Sequence, residues 1–121
     1  MPSGKLILVV EDRAPTADAL RVLLEVEGYR VACAANGRQA LDYLDAGHRP
    51  FVILLDLNMP VMDGRQLRSE MGRDPALASI PVIVVSADGS VRQKAASLGA
   101  ADYLETPVEV DKLLAVVERH C

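Results

Sequence analysis

The chain has 121 residues, half of them hydrophobic and a quarter charged, with a formal net charge of −4. That length suits one domain, and the composition is that of an ordinary soluble globular protein. The acidic balance leaves no electrostatic footprint for nucleic acid or anionic lipid, and no apolar run approaches membrane-spanning length.

Short apolar runs alternate with helical periods throughout. Leu6 to Val10 predicts a first strand, closed by Glu11 and Asp12. With Lys5 ahead of it this run resembles a signal peptide, but it is too short and ends in acids. A helix is expected from Ala14 to Glu27, with Pro15 in its first turn and Ala17, Leu20 and Leu24 facing the core. Arg30 to Ala34 predicts a second strand, Val31 and Cys33 on one face and Ala32 on the other. Asn36 suits the N-cap of a second helix reaching Ala46, with Ala40, Leu41 and Leu44 buried. The third strand is Phe51 to Asp56. A third helix, Arg65 to Arg73, is carried by Leu67 and Met71, and Pro75 and Pro81 bracket a loop. Val82 to Ser86 predicts the fourth strand, and Ser90 to Leu98 a helix turning Val91, Ala95 and Leu98 inward. Ala101 to Leu104 is the fifth strand. The last helix, Val110 to Arg119, places Val110, Leu113, Leu114 and Val117 at i, i+3, i+4 and i+7. Strands so uniformly apolar, alternating with helices, imply a parallel sheet covered on both faces.

Two cysteines are too few for a disulfide framework. Cys33 reads as a core thiol and Cys121 as a terminal one, in a reducing cytoplasm. His48 and His120 have no partner at metal-ligand spacing and read as solvated surface residues.

Phe51 to Leu55 stops at a carboxylate, Asp56. A lone acid there would be a solvated strand end. Glu11-Asp12 closes another strand in the same way, so three carboxylates share one pocket if the two strands are neighbours. Such acids repel and need protons or a cation to coexist. Hard oxygen ligands suit Mg²⁺, which keeps several waters and leaves positions open for a phosphate. In open α/β sheets, ligands bind at this carboxyl-terminal rim.

VVED at 9–12, LLDLNMPVMDG at 54–64, VVSA at 84–87 and GAADYLETP at 99–107 resemble the receiver domain of bacterial two-component response regulators. The likeness covers essentially the whole chain. It implies a flavodoxin-like, doubly wound sheet of five parallel strands in the order 2-1-3-4-5, which sets strands one and three side by side. It also implies phosphorelay signalling: a histidine kinase or phosphotransfer protein passes a phosphoryl group to Asp56, with Mg²⁺ as cofactor. Asp12 and Asp56 would hold the metal directly, Glu11 through water, and Asn58 through its backbone carbonyl. Ser86 matches the hydroxyl residue that bonds the phosphoryl group. Tyr103 matches the aromatic residue whose ring turns inward as that hydroxyl moves. Asp63-Gly64 matches a turn of the family loop, and the small Ala87 leaves phosphate access open. The fourth predicted helix, fifth strand and last helix would form the face for a downstream protein, and a homodimer is compatible with these partners. One domain uses all 121 residues. The expectation is a cytoplasmic phosphoacceptor module without an output domain, not an enzyme, nucleic-acid binder or membrane protein.

The chain departs from the family where a lysine precedes the proline after strand five, since it reads Glu105-Thr106-Pro107. Threonine offers one neutral hydrogen bond, and charge-assisted bonds are roughly twice as strong. Arg13 and Lys94 are the basic candidates to replace it, and Arg13 reads as a solvated loop residue. The expectation is that Asp56 takes phosphate and switches a protein-interaction surface, the missing lysine bearing on how the phosphate couples to Ser86 and Tyr103. The alternative is a pseudo-receiver, a constitutive protein-interaction domain. The resemblance further implies a cis Thr106–Pro107 bond. An aspartyl phosphatase needs Asp-x-Asp, where this chain has Asp56-Leu57-Asn58. A flavodoxin-type cofactor binder needs a hydroxyl-rich loop, where residues 13–18 hold one hydroxyl, Thr16.

Overall fold

A run of β-branched and aliphatic residues cannot satisfy its backbone alone, and here each such run finds a parallel neighbour. The computed structural model describes residues 4–56, 64–86, 91–105 and 108–120. In chain order the elements are β1 (Leu6–Val10), α1 (Ala14–Val26), β2 (Arg30–Ala34), α2 (Gly37–Asp45), β3 (Val52–Asp56) and α3 (Gly64–Gly72). They continue with α4 (Pro75–Ala78), β4 (Val82–Ser86), α5 (Val91–Leu98), β5 (Asp102–Glu105) and α6 (Val110–Arg119). All strand pairs are parallel, and the five-stranded sheet has the order β2-β1-β3-β4-β5.

The period of two in the strands builds two cores on one sheet. Leu8, Val10, Ile53 and Leu55 face α2, α3 and α4, where they meet Leu41, Leu44, Leu67, Met71 and Leu77. Ile7, Val9, Val52 and Leu54 face α1 and α6, against Leu20, Leu24, Leu113 and Val117. Val84 packs with Val91 and Ala95 of α5. The expected helix stripes Ala17–Leu20–Leu24, Ala40–Leu41–Leu44 and Leu67–Met71 are all buried. No helix among the described residues is long and apolar enough to cross a membrane.

Several expectations need correction. The stretch between Pro75 and Pro81 is not all loop. Asp74 caps a single turn, its carboxylate accepting the Ala76 N–H at 2.9 Å with Pro75 in the first turn. Cys33 is exposed rather than core, because β2 pairs only with β1 and lies at the sheet edge. Val110 is 43% exposed, since the buried stripe of α6 runs through Leu113, Val116 and Val117 and the first turn lies beyond it. His120 is half-buried, its Nε2 3.4 Å from Asp102. His48 is exposed as expected and stacks on Tyr43, ring centroids 4.0 Å apart. β3 begins at Val52, one residue later than expected, and β5 ends one residue later, at Glu105.

Candidate functional site

Register brings the acids together. Val10 of β1 pairs with Leu55 of β3, so the next residues, Glu11 and Asp56, leave adjacent strands at the same level. The Glu11 N–H still donates to Ala34 O at 3.0 Å, which fixes its backbone as β1 ends. Asp56 pairs with Val85, and Ser86 follows on β4. Between β1 and β3 the chain reverses its direction of winding, and the connections diverge to leave a crevice at the strand ends.

In that crevice Glu11, Asp12 and Asp56 each offer a carboxylate oxygen, and these oxygens lie within 4.8 Å of one another. Glu11 and Asp56 are half-buried, whereas Asp12 is exposed. The Glu11 carboxyl is pushed up from an ordinary 4.5 to about 8. Burial is the main cause; its hydrogen bond to Asp56 and repulsion from Asp56 and Asp12 add to it, while Arg13 opposes it. Below about pH 8 Glu11 therefore keeps its proton, and that proton serves the hydrogen bond to Asp56. A set of clustered hard oxygens held apart from solvent on one side fits a small divalent cation such as Mg²⁺.

Ser86 is buried, 3% exposed, on the strand end beside Asp56. Tyr103 lies one strand further, paired with Val84, and is 38% exposed on the surface. Its backbone N–H donates to Asp102 Oδ1 at 2.9 Å. Arg13 is exposed at the rim, as expected for a loop residue. Asn58, Asp63, Ala87, Thr106, the Thr106–Pro107 bond and Cys121 lie outside the described residues. The sequence reading missed the apolar walls of the crevice, among them Leu23 and Val108. Leu23 is off the main stripe of α1 and Val108 stands outside any periodic element, so no sequence signal marked them.

Residues 7–118 match the response regulator receiver domain family. The chain belongs to that family. Among curated relatives, the receiver is 43% identical over 115 residues to the response regulator MprA of Mycolicibacterium vanbaalenii. That alignment covers 90% of this chain and 47% of MprA, so the chain spans about half the relative's length. The receiver domain of the sensor histidine kinase PA1611 from Pseudomonas aeruginosa matches with a TM-score of 0.88 at 30% identity, covering 97% of each chain. That crystal structure has a magnesium ion coordinated in its active-site cleft. Chemotaxis protein CheY4 of Vibrio cholerae matches with a TM-score of 0.89 at 26% identity, covering 98% of this receiver and all of CheY4.

Proposed function

We propose that this receiver accepts a phosphoryl group on Asp56 from a histidine kinase or phosphotransfer protein. The observation that carries the reading is the meeting of Glu11, Asp12 and Asp56 oxygens within 4.8 Å at the end of β3. An Asp56 oxygen attacks phosphorus, and a P–O bond forms as the P–N bond of the donor phosphohistidine breaks. The electron pair leaves on the imidazole nitrogen, which takes a proton from solvent. Asp12 and Asp56 would hold Mg²⁺, with Glu11 acting through water and Asn58 through its carbonyl. Bound there, Mg²⁺ supplies neutralisation of the charge on the transferring group.

Asp56 is the last residue of β3, paired with Val85 of β4, and its neighbour Leu55 pairs with Val10 of β1, which holds its backbone in place for an incoming donor. Ser86, one strand over, is the hydroxyl that donates to a phosphoryl oxygen. Pulling Ser86 inward shifts the end of β4, and Tyr103 on β5 reports that shift to the surface formed by α5, β5 and α6. There Tyr103, Glu105, Glu109 and Lys112 line a groove for a downstream protein. The receiver acts as a phosphoacceptor, not as an enzyme with a separate substrate.

Incubation with a small phosphodonor and Mg²⁺ tests the reading by intact mass. One phosphoryl group should be gained by the wild-type chain and none by Asp56→Asn. An unmodified wild type would leave the pseudo-receiver, a constitutive interaction domain, as the better account. Thr106 is the observation favouring that second reading, because it brings no positive charge to the motif.

A further inference from the structure

Behind the carboxylates lies space that a phosphoryl group does not use. A cleft of about 340 Å³ extends from Glu11, Asp56 and Ser86 along α1 and the sheet. Its walls include Val9, Leu20, Leu23, Leu54, Val85 and Val108. Leu20 and Leu54 belong to the core on this face, and Leu23 and Val108 are half-buried against it. The volume falls within the range of roughly 300–1,000 Å³ typical of small-molecule pockets, which are likewise mostly apolar with a few polar groups at one end. A phosphate gains nothing from such walls, being strongly hydrated and repelled by the acids.

The guest that fits has an apolar body and a cationic head. An ammonium carries three N–H donors and no acceptor, which matches the carboxylate oxygens of Asp56 and the carbonyl oxygen of protonated Glu11. Its charge is opposed by Arg13 alone among the described residues lining the cleft, and Arg13 is exposed. A methylene chain displaces water that aliphatic walls satisfy poorly.

We propose that this cleft binds a small primary alkylammonium, its head against Glu11 and Asp56 and its chain along Leu20, Leu23 and Val108. The inference shares Asp56 with the proposed function but not its chemistry, so each can fail without the other.

The test compares n-butylammonium, methylammonium, n-butanol and butyrate by amide chemical shifts on the metal-free chain. Butylammonium should bind about tenfold or more tighter than either methylammonium or butanol, a factor equal to about 1.4 kcal/mol. Its shifts should map to Leu20, Leu23 and Val108, and butyrate should give none. Mg²⁺ should weaken butylammonium binding, because both draw on the same carboxylates. Val108→Phe, which fills the cleft, and Asp56→Asn, which discharges its head, should each lower the affinity. Methylammonium binding as tightly as butylammonium would reduce the site to its acids and overturn the proposal. Equal binding of butanol would overturn it too, by removing the role of the charge. The ligand series on the unmodified chain decides the matter even if a variant does not fold.

Discussion

Glu11 shows how much of a site's behaviour is decided by surroundings rather than by residue type. Three acids at two strand ends were legible in the sequence, because Val10-Glu11-Asp12 and Leu55-Asp56 each end an apolar run. Which of them keeps a proton was not legible. Burial is a property of the assembled crevice, and it is the largest cause of the shift to about 8. The consequence for stability has a definite sign. Between the ordinary 4.5 and about 8, folded Glu11 holds a proton that the unfolded chain has released. The native state then binds more protons, so stability falls as pH rises. The contribution of Glu11 is complete below its unfolded value and is lost as pH passes through the folded one. Without Mg²⁺, the thermal midpoint should therefore decline between about pH 5 and 8.5, and Glu11→Gln should flatten that decline. A wild-type and Glu11→Gln pair with parallel pH profiles would show that Glu11 is not the titrating group. Ser86 teaches the same lesson at lower stakes: its place at a strand end was readable, but not its near-complete burial.

Elements were legible wherever a periodic stripe reached a core, and least so where a short local hydrogen bond substitutes for periodicity. α2 combines both. Asn36 Oδ1 accepts the Gln39 N–H at 2.9 Å, and Gln39 Oε1 in return accepts the Ala35 N–H at 2.8 Å. Two backbone donors at the start of the helix are satisfied by side chains four residues apart or fewer. Asn36→Ala should cost about 1 kcal/mol. Urea denaturation should show this as a lower midpoint at constant m. An unchanged midpoint would mean that water replaces the cap without loss. α4 has the same kind of signal in Asp74 and Pro75, yet four residues are too few for a stripe, and the prolines dominated the reading. Cys33 was misplaced for another reason. Alternation tells which face a residue takes, but not whether an edge strand has anything packed there. His120 was misplaced because its partner, Asp102, is distant in sequence. Asp102 also takes the Arg119 guanidinium at 2.7 Å, tying the end of α6 to the start of β5.

At the scale of the molecule, the alternation of strands and helices gave the class of fold, while the strand order came from the family likeness. Periodicity leaves that order undetermined: β1 is flanked by β2 and β3, a pairing that no local pattern encodes. The resulting sheet has a core on each face, and both draw on the same strands. Leu54 is 1% exposed toward α1 and α6, and its neighbour Leu55 is 0% exposed toward α2, α3 and α4. Since β3 lies in the middle of the sheet, neither core can be lost while its strands stay paired for the other. The two faces should therefore unfold as one unit. Leu54→Ala and Leu55→Ala, made separately, should each lower global stability by about 2–5 kcal/mol, the range for buried leucines that leave a cavity. Each variant should keep a single urea transition, with far-ultraviolet dichroism and tyrosine fluorescence coinciding. Tyr29 belongs to the core with α1 and α6, while Tyr43 packs against the other, so fluorescence samples both faces. Two separated transitions in either variant would show the faces to be independent. Movement at β4 would then have no obligatory route through the sheet, and the proposed link from Ser86 to Tyr103 would have to run through the connecting segments instead.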